Sequence, residues 1–546
     1  TKLLEWLIFR QSCLDELLRQ DGLVDSLDHE LCISCKKLDG MYKCKDCFSG
    51  GLLCCCDCLV NAHQDHPLHR IEIWNGRFFA VVTLQSLGLR VQLGHGGAPC
   101  PLPSTGPTNF CIFDTSGIHY ISVDFCDCRI IHQRTQLLRA RWFPATFNRP
   151  KTAFTFDCLD TFHELTLQGK TPLYDFYHTV LHKTDNLELH KTIYRYPEFH
   201  RVFRIWRNIL MLKRAGRGQD PAGAGATAQG ELAVECPACP HPGRNLPEGW
   251  QLAGPLLFLY TLFLAADANF KLKGKDRGIN DPELAPGWAS FVEEGRYQEH
   301  IMQHVDQSEI NTCQSEHDAL VRAAVRCTPG YSVTGTGLCV CARHCLVRKN
   351  GVGDLQKGER YCNMDYIILS SLAGVKLPRV VITYDIGCQW SKNFWRRVEE
   401  FPDDLKLDPA TSVEVGIPSW HINGHGDNCR TFCLNYMDGV GRTCGEEVET
   451  TWAQTNALGT STREMGPGAR HETLKDQWCG WNFRKIVGFR SFFLKRLKEA
   501  FAMRDKQRLI FQQFSSTFPP QTVKEWEVMV LEWRNDRSKP NPYKEP

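Results

Sequence analysis

The pattern of apolar and polar residues singles out two short apolar runs that each lead into an acid. The run VVITYDIGCQW (Val380–Trp390) contains Asp385, and the run LLFLYTLFLAA (Leu256–Ala266) is followed by Asp267. Short apolar runs rich in β-branched residues predict buried strands. A carboxylate at the end of a buried strand is costly unless a metal ion or another partner offsets its charge. We predict that the two acids meet across one sheet and bind metal ions with a third carboxylate; the competing interpretation is two acids that cap turns.

The third carboxylate is expected in the stretch GEEVETTWA. Val448 and Trp452 are four residues apart and predict the buried face of a helix. Glu449 follows Val448, so it can lie at the edge of that face and point at the sheet. Glu446 is three residues earlier and is the alternative. Asp365 in NMDY is a further rival, but no apolar strand precedes it.

The cysteine pattern between residues 32 and 69 predicts a double zinc site. Three Cys-x2-Cys pairs and a histidine pair supply eight ligands, and a two-residue spacer lets one turn direct two thiolates at one tetrahedral ion. The predicted ligands are Cys32, Cys35, Cys44, Cys47, Cys55, Cys58, His63 and His69. Interleaved pairing, first pair with third and second with fourth, gives a cross-brace module. His66 competes with either histidine, and Cys54 and Cys56 allow a shifted third pair.

Other Cys and His residues give weaker indications of zinc. One group of candidate ligands comprises His95, Cys100, Cys126 and Cys128, with His119 and Cys111 as competitors. Another comprises Cys341 and His344 together with His421, His425 and Cys429, whose spacing places the last three on one face of a helix. The pair Cys236-x2-Cys239 is either a turn element or half of a zinc site with unidentified partners.

Composition sets the broad class. A chain of 546 residues is too long for one core, and 42% hydrophobic with 23% charged residues is ordinary for a globular protein. A net charge of +2 means that nucleic-acid binding must come from local basic patches, for which the segments 201–214 and 482–499 are candidates. No apolar run long enough for a membrane span and no signal peptide is visible. Since the chain starts at Thr1 without Met, we expect that the natural N-terminus is missing.

These features predict a multidomain α+β chain. The 27 cysteines cluster with histidines in a metal pattern and not a disulfide framework, which indicates a reducing compartment, the cytosol or the nucleus. The predicted segments are a helical lead-in (1–29), a double-zinc cysteine cluster (30–75), a β-rich segment (76–140), a helical region (141–214), a linker with a CPxCP element (215–253), a catalytic domain (254–500) and a helical, then disordered, tail (501–546).

Several sequence pieces, in order, resemble those of the KDZ (Kyakuja–Dileera–Zisupton) transposases. They include CISCKKLDGMYKCKDCF, HPLHRIEIW, FPATFNRPKTAFTFDCLDTF, DANFKLK, DLQKGERYCNMDY, TYDIGCQWSKN, HINGHGDNC, GEEVETTWA and STREMGPGARHETL, and the cysteine cluster resembles the CxC type associated with that family. The resemblance implies an RNase H-like α/β catalytic domain with helical insertions. It also implies that Asp267, Asp385 and Glu449 are the catalytic acids, although Thr450 stands where the family usually has Arg.

Two functional hypotheses follow. The first is a DNA transposase in which the acids bind two Mg²⁺ or Mn²⁺ ions, with Asp385 bridging them, and catalyse strand cleavage and transfer of a mobile element. Zinc is structural, the partners are terminal-repeat and target DNA, a second copy of the chain and a chromatin protein, and the location is the nucleus. The second is a catalytically inactive, transposase-derived zinc protein that acts as a chromatin reader or a ubiquitin-ligase-like scaffold.

Overall fold

The computed structural model of the chain divides into two compact units, Thr1–Trp206 and Arg207–Pro546. The described residues are 2–23, 31–48, 52–96, 98–189, 193–305, 307 and 329–543. Separate sheets and helices in both units confirm the predicted multidomain α+β class. Over the ranges described, no helix combines the length and the apolar character that a membrane crossing requires.

The first unit has two sheets and a group of helices. Its strands are β1 (Tyr42–Cys44), β2 (Ile71–Trp74), β3 (Phe79–Val82), β4 (Arg90–Gln92), β5 (Pro103–Thr105), β6 (Phe110–Asp114), β7 (Gly117–Cys126), β8 (Trp142–Pro144) and β9 (Thr152–Thr155). Its helices are α1 (Lys2–Glu5), α2 (Arg10–Asp21), α3 (Cys56–Ala62), α4 (Gln133–Arg139), α5 (Phe156–Gly169), α6 (Leu173–Thr184) and α7 (Tyr196–Arg214), which continues into the second unit. The strand orders are β1-β2-β3 and β4-β7-β6-β9-β8, with β5 beside β7.

The start of the predicted helical region, 141–214, is instead part of the second sheet. Strand β9 pairs in parallel with β6, and β8 pairs with β9. All four residues of β9, Thr-Ala-Phe-Thr, are buried, and two of them are the β-branched threonines that suit a strand. Thr155 then caps α5 by accepting a hydrogen bond from the Cys158 amide at 3.0 Å, so the switch from strand to helix is local.

The second unit is built around a five-stranded sheet. Its strands are β10 (Leu262–Asn269), β11 (Gly274–Lys275), β12 (Tyr331–Val333), β13 (Gly335–Cys341), β14 (Val347–Leu355), β15 (Arg379–Thr383) and β16 (Ser412–Gly416). Its helices are α8 (Glu294–Gln303), α9 (Tyr361–Leu372), α10 (Gly387–Trp390), α11 (Phe394–Glu399), α12 (Glu447–Thr455), α13 (Gly459–Thr462), α14 (Pro467–Val487), α15 (Phe489–Ser515) and α16 (Pro520–Asn535). The large sheet has the order β14-β13-β10-β15-β16, and β11 pairs with β12.

Strand β10 is the centre of this sheet and is covered on both faces. It pairs antiparallel with β13 and parallel with β15, which in turn pairs in parallel with β16. Leu262 and Leu264 belong to the hydrophobic cluster on one face, whereas Phe263 and Ala265 belong to the cluster on the other. Because successive side chains alternate between faces, residue 267 lies on the same face as residues 263 and 265.

Three predicted segment boundaries differ from the structure. The apolar run from Leu256 forms a 3₁₀ turn up to Tyr260, and the strand begins only at Leu262. The predicted linker 215–253 lies inside the second unit, where Arg217 is buried and pairs with Asp220 and Glu231. In the predicted tail, Tyr543 stacks on Tyr436 with ring centroids 4.1 Å apart, so the part that was predicted to be disordered makes contacts with the rest of the second unit.

Candidate active site and metal centres

The register of β10 against β15 brings the two predicted strand-end acids to the same level of the sheet. Leu262 pairs with Val380 and Ala265 pairs with Thr383. Two residues further along the chain lie Asp267, still within β10, and Asp385, in the turn that follows β15. Asp267 shares the face of the sheet that carries Ala265, and the charge of Asp385 acts on Asp267, so both carboxylates lie at this end of the parallel pair.

The pKa of Asp267 shows that the charges of these two acids interact. Burial and the charge of Asp385, with a smaller contribution from Glu449, raise the pKa of Asp267 to about 8. Burial likewise raises the pKa of Asp385, against the opposing charges of His421 and His425. Two acids that suppress each other's ionisation in this way need an additional positive charge before both can ionise.

Helix α12 covers this face and brings the third acid. Val448 and Trp452 are buried in the same hydrophobic cluster as the β10 residues Phe263 and Ala265. The Trp452 indole Nε1 donates a hydrogen bond of 2.8 Å to Oδ2 of Asp267. Glu449 lies on the exposed side of this helix, close enough for its charge to act on Asp267.

Glu446, the alternative third acid, has other partners. It precedes α12, accepts a 2.8 Å hydrogen bond from the Trp420 amide and forms a 3.1 Å ion pair with His421. The hydrogen bond to Glu446 raises the pKa of His421 to about 9. The two glutamates are therefore placed differently: one is held by a cation, and the other is exposed beside the acidic pair.

Glu359 is a fourth carboxylate of this region, and the sequence reasoning missed it. Burial and the charges of Asp385 and Asp267 raise its pKa well above the ordinary value. It accepts a hydrogen bond from the hydroxyl of Tyr384, the residue before Asp385. It lies in the loop between β14 and α9, where no apolar run leads into it, so the pattern that indicated the two aspartates gave no signal here.

Asp365, the rival acid, is buried in a different environment. Its carboxylate accepts hydrogen bonds from Arg397 Nε at 2.5 Å and from Trp390 Nε1 at 2.7 Å. Its relative exposure is 1%, and the paired guanidinium neutralises it. A carboxylate with these partners ties α9 to the segment after β15, which is a structural role.

The predicted zinc ligands of residues 32–69 meet in two groups. Each residue offers one ligand atom, and the ligand atoms of a group lie within 4.8 Å of one another. The groups are Cys32, Cys35, Cys55 and Cys58, and Cys44, Cys47, His63 and His69. This is an interleaved arrangement, first pair with third and second with fourth. The competitors lie outside it: His66 stacks on His69, Cys54 Sγ contacts Ser34 and Cys56 Sγ contacts the Leu87 carbonyl.

A third group in the first unit comprises His95, Cys100, Cys126 and Cys128. His95 Nε2 is 3.1 Å from Cys126 Sγ, and the sulfurs of Cys100 and Cys128 are 3.5 Å apart. The competing His119 hydrogen bonds to Ser116 instead, and Cys111 is buried within β6.

The predicted group of Cys341, His344, His421, His425 and Cys429 is wrong, because the structure divides it three ways. Cys341 and His344 meet Cys236 and Cys239, His425 and Cys429 meet Cys388, and His421 pairs with Glu446. The stretch is not one helix: a 3₁₀ turn at His421–Gly424 and another at Asp427–Phe432 are separated by an extended His425. The three side chains therefore do not share a helical face.

The two predicted basic segments differ in accessibility. In α7, Arg207 is buried and hydrogen bonds to Thr473, while Phe203 and Trp206 are buried. In contrast, α15 has no buried residue along its 27 residues and exposes Arg490, Lys495, Arg496 and Lys498. Most cations of the second segment are therefore exposed, whereas in the first segment the exposed cations Arg201, Lys213 and Arg214 lie at its two ends.

Comparison with known families adds two matches. Residues 260–482 match the Kyakuja-Dileera-Zisupton transposase model, and residues 84–188 match the CxC2 like cysteine cluster associated with KDZ transposases. The second match includes the group of His95, Cys100, Cys126 and Cys128 but starts after the two groups of residues 32–69. Searches of the curated proteins and of the solved structures found no match.

Proposed function

The chain belongs to the KDZ transposase family, and on this premise we propose that it is a DNA transposase whose active site is formed by Asp267, Asp385 and Glu449. The observation that carries the proposal is the β10–β15 register, with the two aspartates at one level and the charge of Glu449 acting on Asp267. Glu446 is the less favoured third acid because its carboxylate already pairs with His421.

The sheet supports an RNase H-like fold for the second unit. Numbered in chain order within the sheet, its strands run 3-2-1-4-5, with the second antiparallel to its neighbours and the last two parallel to the first. Ligands of open α/β sheets bind beyond the carboxyl ends of parallel strands. Asp267 lies near that end of β10, and Asp385 follows β15.

The donor set fits a hard divalent cation. Carboxylate oxygens are the ligands that Mg²⁺ and Mn²⁺ prefer, and the raised pKa values of both aspartates mark a site where a bound cation would favour the ionised carboxylates. When bound, such ions activate a water or a DNA 3′-hydroxyl and stabilise the leaving oxygen of a phosphodiester.

The protein's own contribution is to hold the carboxylates in position. Trp452 donates to Oδ2 of Asp267. The Ile386 amide donates to Oδ1 of Asp385 at 2.9 Å. Burial of Val448 beside the sheet fixes the helix that carries Glu449. These contacts orient one oxygen of each aspartate before a ligand binds, which reduces the cost of organising the site.

We assign the three Cys/His groups of the first unit to structural zinc. Each offers four thiolate or imidazole ligands, the number that a closed zinc site needs. A module with so few core residues would depend on the metal for its fold. EDTA is therefore expected to unfold residues 32–69, detected as a gain of protease sensitivity there; an unchanged cleavage pattern would contradict the assignment.

DNA is the expected partner, held by phosphate contacts from exposed cations such as those of α15. Phosphate contacts weaken as salt rises, so the DNA affinity should fall between 50 and 200 mM salt. We place the protein in the nucleus, where element ends and target DNA are found. Assembly with a second copy of the chain and binding to a chromatin protein are further expectations of this function.

The test is strand cleavage and strand transfer on DNA that carries the element's terminal repeats, with Mn²⁺. Asp267→Asn and Asp385→Asn are expected to lower the cleavage rate at least about 100-fold, because a ligand of the transition-state charge is lost. The matched control is Asp403→Asn, an exposed aspartate of the same unit, which should retain the wild-type rate. Wild-type cleavage by Asp385→Asn would overturn the metal assignment.

The third acid is tested in the same assay. Glu449→Gln should lose activity as the aspartate variants do, whereas Glu446→Gln should lose less, since glutamine can still accept from the Trp420 amide. The reverse order would exchange their roles. A wild-type chain that binds terminal DNA but never cleaves it would favour the second hypothesis, an inactive interaction protein.

A further inference from the structure

Four potential metal ligands meet at the edge of the second unit's core, from segments about one hundred residues apart in sequence. Cys236 and Cys239 come from the loop before β10, Cys341 ends β13, and His344 lies in the turn that follows. Cys236 Sγ is 3.3 Å from His344 Nδ1, Cys341 Sγ is 3.2 Å from the same nitrogen, and the sulfurs of Cys239 and Cys341 are 3.1 Å apart.

These distances describe ligands around a common centre. Zn–S bonds of about 2.3 Å and Zn–N bonds of about 2.0 Å in a tetrahedron place the ligand atoms roughly 3.5–3.8 Å apart. The observed separations are slightly shorter than that, and they are far longer than a disulfide bond of about 2.05 Å. Three sulfurs and one imidazole nitrogen this close together are typical of ligands around one metal ion and not of neutral side chains packed in a core.

An outer layer of contacts fixes the ligands. Asn245 donates to the carbonyls of Pro237 and Cys239 at 2.9 and 2.7 Å, which closes the loop around the first two cysteines. The His344 ring packs against Phe489 and Phe493 of α15, each with a centroid distance of 5.6 Å. Contacts of this kind orient metal ligands and exclude water from the site.

We propose that Cys236, Cys239, Cys341 and His344 form a structural zinc site of the second unit. The site ties the loop before β10 and the start of α15 to the end of β13. Cys341 pairs in register with Leu264 of β10, three residues before Asp267, so the metal also fixes the strand that carries this acid. The proposal needs neither DNA nor a catalytic cation and stands if the proposed function fails.

The experiment measures zinc per full-length chain by mass spectrometry after purification in reducing buffer without chelator. Cys236→Ser is expected to bind one zinc fewer than wild type. The matched control is Cys345→Ser, which alters a half-buried thiol one residue after His344 and should keep the wild-type zinc content. Equal zinc content in Cys236→Ser and wild type would overturn the site.

A second variant covers the case in which Cys236→Ser does not fold. His344→Cys replaces one ligand by another and should keep the full zinc content, whereas His344→Ala should lose one ion. In the cobalt-substituted protein, His344→Cys should increase the thiolate-to-cobalt charge-transfer absorbance by the contribution of one added sulfur. An unchanged spectrum in this variant would show that residue 344 does not contact the metal.

Discussion

Two groups of acids in the second unit face opposite electrostatic situations. At the end of the parallel β10–β15 pair, the charge of Asp385 acts on the half-buried Asp267, and burial raises the pKa of both. At the end of β14, Asp354 is more deeply buried than either, yet the charges of Arg470 and His471 outweigh burial and hold its pKa well below the usual range. The same residue type in the same unit is thus destabilised at one place and stabilised at the other.

The difference lies in the partners that α14 supplies. Arg470 Nη1 donates to both oxygens of Asp354 at 2.7 and 2.6 Å, and His471 Nε2 contacts the same carboxylate at 2.9 Å. Lys475 and His471 also pair with the buried Glu283. The side-chain hydrogen bond that Asp267 accepts within the described residues comes from a neutral indole, that of Trp452. Arg470 and His471 thus neutralise Asp354, whereas the indole brings no positive charge to Asp267, which a bound cation would supply.

The largest expected effect is the loss of the internal cation. Arg470→Met should destabilise the protein by about 3–5 kcal/mol, because it removes both Arg470 hydrogen bonds from the buried carboxylate of Asp354 and leaves it with His471 alone. The matched control is Arg296→Met, which breaks an exposed pair with Asp404 at 2.9 Å and should cost under about 1 kcal/mol. Both are measured by urea unfolding. Equal losses of unfolding free energy in the two variants would mean that the buried Arg470–Asp354 pair stabilises the protein no more than the exposed Arg296–Asp404 pair.

The second largest effect is expected at alkaline pH, which should weaken the interaction between Asp354 and His471. Despite burial, Asp354 and Glu283 raise the pKa of His471 to about 10. A group whose pKa is higher in the folded state stabilises the fold fully below its unfolded pKa of about 6.5, and this stabilisation is lost as the pH rises toward 10. We expect a loss of about 2–3 kcal/mol over that window, measured as unfolding free energy against pH. His471→Gln should remove this pH dependence of the unfolding free energy. An unchanged pH dependence would show that a group other than His471 causes it.

For Asp267, which lies beside Asp385, we expect a substitution to have an effect of opposite sign. In metal-free buffer at pH 7, Asp267→Asn should stabilise the protein by about 1–2 kcal/mol, because it removes a buried carboxyl whose ionisation is disfavoured. Mn²⁺ should raise the melting temperature of the wild type and have little effect on the variant. Asp403→Asn is the control and should respond to Mn²⁺ as the wild type does. Destabilisation by Asp267→Asn would mean that this acid is satisfied internally.

The smallest expected effect concerns the indole that orients Asp267. Trp452→Phe keeps the aromatic packing but removes the donor to Oδ2, and it should cost about 1 kcal/mol. It should also weaken Mn²⁺ binding, measured by calorimetry, since the carboxylate loses its fixed orientation. Unchanged Mn²⁺ affinity would limit Trp452 to a packing role.

How much of the site the sequence could reveal depends on the range of the interactions. The strand of Asp385 and the buried helix face of Val448 and Trp452 follow from local patterns. The Cys-x2-Cys pairs of residues 32–69 lie close enough in sequence for their interleaved grouping to be proposed. By contrast, Cys236 and Cys341 meet only because the sheet forms, and no local pattern encodes that closure.

Two errors have identifiable physical causes. The helical face proposed for His421 and His425 ignored Gly424 and Gly426, which favour turns over helix interiors. Glu359 was overlooked because it reaches the acidic pair from a loop, where burial depends on tertiary packing alone. The two glycines could have predicted these turns from the sequence, whereas no sequence pattern predicted the position of Glu359.

The shared level of Asp267 and Asp385 constrains how this chain can change in length. Side chains alternate between the faces of a strand, so one residue inserted into β10 or β15 ahead of its acid would turn that carboxylate to the opposite face. Among the described residues between the two acids, β13 and β14 belong to the same sheet and β13 pairs with β10, so the same restriction applies to them. Relatives should therefore be invariant in length within Leu262–Asp267 and Val380–Asp385 and vary in length in the loops that connect the strands.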